Sequence, residues 1–126
     1  MSAVPVDLSL NEVETLAAKA ARGAGLSWGG AEEIGRAARR LARAGADWPA
    51  LVLALDGPAY GDPAVEASAL DRAEAAVAAA GEGAFTRAAV PADVIAALDA
   101  LAARTYVPAS ARSRVLGAGA GLTDND

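Results

Sequence analysis

The sequence predicts an all-α fold, a small bundle of four to six short alanine-rich helices with an irregular glycine-rich C-terminal tail. Three observations carry this. About three residues in ten are alanine, the residue with the highest helix propensity. Apolar side chains recur at three- and four-residue spacing in several separate stretches, the period of a helix with one buried face. Those stretches are fenced by Ser, Asp or Pro on their N-terminal side and by Gly on the other, residues that start and stop helices. With 126 residues, the chain reads as one domain: an N-terminal arm over 1–8, a helical body over 9–104 and an extended tail over 105–126.

The first helix starts at Ser9-Leu-Asn-Glu12. This is the capping-box pattern, in which the Ser hydroxyl accepts one orphan N–H and the Glu carboxylate reaches back to another. Leu8 and Val13 stand where a hydrophobic staple would bridge the entry. Leu10, Val13, Ala17 and Ala20 form the buried stripe, Lys19 and Arg22 suit the negative end of the dipole, and Gly23 is the expected stop.

The second helix is expected from about Trp28 to Ala44, capped by Ser27. At 100° per residue, Ile34, Ala38, Leu41 and Gly45 share one face, and Arg36, Arg39, Arg40 and Arg43 gather on the opposite arc. Glu32 and Glu33 stand at pairing distance from Arg36, and the other three arginines lack a partner within the helix. That stripe is either a solvated face or a dock for an anion or an acidic partner.

Asp47-Trp48-Pro49 looks like a third start, with Asp as cap and Pro in the first turn. Leu51–Leu55 after it is short enough to be helix or strand. Asp62-Pro63 opens a fourth helix to Ala80, with Val65, Leu70, Ala73 and Val77 inward and Gly81 closing it, and Gly81-Glu-Gly83 reads as a flexible joint. Pro91 at the first helical position and Asp93 in the first turn open a fifth helix with Val94, Ile95, Leu98 and Leu101 as its core. It ends near Arg104, because Val107 precedes Pro108 and is pushed to an extended conformation.

Bulk properties exclude several functions. A net charge of −5 and a pI near 4.6 argue against nucleic-acid binding, whose footprint is basic. The chain has no cysteine and no histidine, which removes thiolate chemistry, Cys-ligated zinc and the usual neutral-pH base. No long apolar run spans a membrane and no leader pattern opens the chain, so a cytoplasmic location is expected. Leu, Ile, Val and Phe make only about a fifth of the residues, so the core should be thin. A thin core is a reason to expect a protein partner or self-association.

Two glycine runs, Gly23–Gly29 and Gly117–Gly121, invite a dinucleotide reading. The mechanism needs a strand before the glycines and a helix behind them, and neither run has both, so no cofactor is expected. Asp124 and Asp126 fall short of the six or more oxygens of a calcium loop. One set remains in the tail: Arg104, Tyr106, Ser110, Arg112 and Arg114, guanidinium forks, a phenol and a hydroxyl around a Pro-fixed bend. Such groups bind carboxylates and phosphates.

Ser9-Leu-Asn-Glu-Val-Glu14, Lys19–Gly25, Trp28 and Ala31-Glu-Glu33, together with Leu101–Ser110, Ser113-Arg114 and Gly117–Asp126, resemble an uncharacterised bacterial family of unknown function. The likeness covers roughly the first 45 and last 30 residues. It implies that the tail matters and brings no activity with it. Leu10–Asp47 also resembles the N-terminal helix pair of the type-2 malate/lactate dehydrogenases, whose Ser-His-Gly signature and cofactor domain this chain lacks.

The expectation is a non-catalytic accessory or oligomeric subunit whose C-terminal tail docks into a partner. The alternative is a small-molecule carboxylate or phosphate binder, or an enzyme, using the tail Arg, Tyr and Ser groups. In the first reading Asp124 and Asp126 are candidates to meet the Arg36–Arg43 stripe or the partner.

Overall fold

The computed structural model describes residues 4–58 and 60–104. Their order is β1 (Pro5–Ser9), α1 (Leu10–Ala24), α2 (Trp28–Arg43), α3 (Trp48–Leu53), α4 (Pro63–Ala80), β2 (Arg87–Pro91) and α5 (Ala92–Ala103). The fold is mainly α rather than all-α, because β1 and β2 pair antiparallel with Pro5 opposite Pro91 and Ser9 opposite Arg87. The expected N-terminal arm over 1–8 is therefore corrected from Pro5 onward, where the chain is strand. Val6 and Leu8 pair with Val90 and Ala88, and burying Leu8 and Val90 is what fastens an otherwise marginal two-stranded ribbon to the helices.

The helix starts follow their caps. Ser9 Oγ accepts from Glu12 N at 3.1 Å, and Ser9 N donates to Glu12 Oε1 at 2.7 Å, completing the capping box. Ser27 Oγ accepts from Gly30 N, Asp47 Oδ1 from Ala50 N and Asp62 Oδ1 from Ala64 N. Residues 51–53 are helical.

Two boundaries differ from the expectation. Gly23 does not stop α1, which continues to Ala24 and is capped by Gly25 at φ 115°. The left-handed backbone there suits a residue without Cβ. Pro91 is the N-cap of α5 and the last residue of β2, not the first helical residue.

α1 is the centre of the molecule, with α2 on one side and α5 on the other. The expected stripe Leu10, Val13, Ala17 and Ala20 is buried, and so are Ile34, Ala38 and Leu41 on α2. Nearly half of the buried apolar residues are alanines, and the largest fully enclosed side chains are Trp48, Leu26, Ile34, Leu55 and Leu98. Small residues set the helix distances. A Cβ on Gly35 would lie 2.8 Å from the Glu14 carbonyl oxygen, so α2 meets the α1 backbone directly.

Gly81–Gly83, read as a joint, is fastened to the end of α2. Arg43 Nε donates to the Gly83 carbonyl at 3.0 Å, and Phe85 N donates to the Arg43 carbonyl at 3.0 Å. Among the described residues, no helix is long and apolar enough to cross a membrane.

Candidate functional site

The most distinctive surface lies where α1 ends and α2 begins. Leu26 folds into the core while Trp28, the first residue of α2, points outward with 66% of its surface exposed. Arg22, in the last turn of α1, holds it there: its Nη1 donates to the Leu26 carbonyl at 2.7 Å, and its guanidinium carbon stands 4.8 Å from the Trp28 ring centroid. That is a cation–π distance. The stack shields one region of the indole and leaves the remainder open to solvent.

Beside Trp28 runs a cleft of about 620 Å³ between α1 and α2, with Thr15, Lys19, Ala31, Glu32 and Arg36 along it. An exposed indole next to a concave, mixed-charge wall has the composition of a binding hot spot, where Trp and Arg are over-represented.

The arginine stripe does not converge on one point. Arg36 pairs with Glu33 at 3.2 Å. Arg39 turns to α1, bonding Asn11 and, at 3.2 Å, Glu14. Arg43 binds the Gly83 carbonyl. Arg40 lines a shallow cleft between α2 and α4 with Leu70, Asp71 and Glu74. Three of the four thus have partners on the body, two of them on other elements.

Arg104 meets Asp56, in the loop after α3, with Nη1 2.7 Å from Oδ1 and Nη2 3.3 Å from Oδ2. This two-pronged bond holds the Asp56 carboxyl below the usual carboxylate range and raises Arg104 further. Tyr106, Ser110, Arg112, Arg114, Asp124 and Asp126 lie outside the described residues.

The Trp28–Arg22 pair escaped the sequence reading because the two residues sit on different helices. Their contact depends on the tight Ala24–Ser27 connection. The signal available was a tryptophan directly after an N-cap serine, a position where a large apolar ring is not needed to start a helix.

No curated protein and no solved structure matches the chain. Residues 8–51, which contain α1, α2 and the Arg22–Trp28 pair, match the model of a family described as Protein of unknown function (DUF3726), in keeping with the resemblance carried by Ser9–Glu14, Lys19–Gly25, Trp28 and Ala31–Glu33.

Proposed function

We propose that the chain is a non-catalytic, cytoplasmic accessory subunit that docks a partner protein on the α1–α2 face, with its C-terminal segment adding contacts. The observation that carries this reading is Trp28, 66% exposed and pinned under Arg22. A rigid, pre-positioned indole loses little conformational freedom on binding, and such anchors dominate interface energetics. The cleft beside it accepts an apolar side chain from the partner, and Lys19, Glu32 and Arg36 supply a polar rim. Each copy carries a net charge of −5, so long-range repulsion disfavours a second copy as the occupant and favours a different chain.

The test places a photo-cross-linking amino acid at Glu32, on the rim, in the native host. The captured protein is then purified and titrated against the full chain and its Trp28→Ala variant by calorimetry. Affinity at least tenfold weaker for Trp28→Ala, a loss of about 1.4 kcal/mol, is the expected result. Equal affinity overturns the reading, and cross-links confined to another copy replace it with self-assembly.

A further inference from the structure

On the other flank of α1, a second groove of about 560 Å³ runs along α5. Leu8, Leu16 and Ile95 provide its apolar walls, and Ala102 and Ala103 line it where α5 ends. Leu16 and Ile95 are only half-buried. Two acidic groups, Glu12 and Asp99, stand on its rim.

We infer that this groove is covered by the chain's own C-terminal segment, with Tyr106–Pro108 lying against Leu16 and Ile95 and with Arg112 and Arg114 reaching Glu12 and Asp99. Three arguments converge on this occupant. The first is place: the last two residues of α5 are part of the groove, and residue 105 follows one residue after α5's C-cap, Arg104. The Arg104–Asp56 bond fixes that exit point.

The second is length. Ile95 and Ala102 are separated by about 10 Å along the helix axis at 1.5 Å per residue, and an extended chain covers this in about three residues. Val107 precedes Pro108, which confines it to extended conformations. The third is chemistry. Tyr106, Val107 and Pro108 are the apolar run of the segment and suit the walls, and the arginines beyond them match the acidic rim.

Asn11, Thr15 and Lys19 line both this groove and the Trp28 cleft. A segment seated here lies one helix width from Trp28 and becomes part of the same surface. The inference stands independently of the partner reading, because it concerns one chain alone.

The chain contains no cysteine and two isoleucines, Ile34 and Ile95, so two clean measurements are available on the full-length protein. With Thr15→Cys and Val107→Cys together, mild oxidation should give an intrachain disulfide independent of protein concentration. The control pair Ala54→Cys and Val107→Cys, with Ala54 exposed on the Asp56 side of the exit point, should give far less. In methyl NMR with labelled isoleucine, Tyr106→Ala should move the Ile95 δ1 resonance and leave that of Ile34, enclosed in the core, in place. A disulfide between copies assigns the groove to a second molecule and overturns the inference. So do equal yields from the two pairs, or an Ile95 signal that ignores Tyr106.

Discussion

The main-chain carbonyl of Leu101 occupies the space where a side chain at Gly23 would begin. α1 and α5 therefore touch backbone to backbone, and a glycine in the last turn of α1 is a spacer rather than a terminator. Two effects of opposite sign act at this position. Alanine favours a helix over glycine by about 1 kcal/mol, whereas a methyl forced into a filled site costs about 1–3 kcal/mol. Packing should win, so Gly23→Ala lowers stability in urea titration. Gly29→Ala, on α2 with open space around it, should be neutral or stabilising. A stabilising Gly23→Ala would mean that α5 yields easily.

The capping box makes a second quantitative claim. Ser9 ends β1 and caps α1 in one residue, so losing its hydroxyl unpairs the Glu12 amide. Ser9→Ala should cost about 0.5–2 kcal/mol. Ser68→Ala, whose exposed hydroxyl only accepts from Arg72, should change the melting temperature little. Equal shifts for the two would remove the cap from the account of α1.

The helices were legible in the sequence because each carries its start signal locally: Ser9, Ser27, Asp47 and Asp62 all cap where the pattern places them. The sheet was not. Its strands stand some eighty residues apart, so no turn residues announce the pairing. Arg87-Ala-Ala-Val-Pro91 also lacks the β-branched and aromatic side chains that mark a strand. The two proline ends hide it further, since Pro91 reads equally as a helix opener. Gly23 was misread for a related reason: a glycine that permits contact and a glycine that ends a helix look alike without the neighbour. At the surface, the arginine stripe was visible, but Asn11, Glu14 and Gly83, which take up Arg39 and Arg43, come from elements whose placement the α2 sequence does not encode.

Asp56 gives the acid limb of stability a specific contributor. Its carboxyl titrates below its ordinary value because Arg104 hydrogen-bonds the charged form. A depressed folded-state pKa contributes stability that is present above the unfolded value, about 3.9 for Asp, and is lost as pH falls through the folded one. Wild type should therefore melt above Asp56→Asn by a constant margin from about pH 5 to 8, and that margin should close below about pH 4. The pair is solvent-exposed, so the margin should also shrink in high salt. A margin unchanged down to the acid transition would show that the bond does not persist in solution.

Glu66 and Ser27 tie α4 to the start of α2. Glu66 Oε1 accepts from Ser27 N at 2.8 Å, its Oε2 accepts from the Ser27 hydroxyl at 2.5 Å, and that hydroxyl accepts in turn from Gly30 N at 3.1 Å. The carboxylate thus sits where the helix dipole favours negative charge, and Gly30 makes room for it, since a Cβ there would collide with Glu66. Among the described residues α4 buries only Ala69 and Ala73, so a polar clamp carries an unusual share of its attachment. Glu66→Ala should cost about 1–2 kcal/mol, the range of a hydrogen bond to a charged group at a partly exposed site. Ser27→Ala removes both the cap and one prong of the clamp. The two losses share a bond, so the double variant should be less destabilised than their sum by about 0.5 kcal/mol or more. Glu66→Gln keeps one acceptor but loses the charge and the second acceptor, and should fall between wild type and Glu66→Ala. Simple additivity in this cycle would mean that α4 is held by its alanines alone, and hydrogen exchange in α4 would then be unchanged by Glu66→Ala.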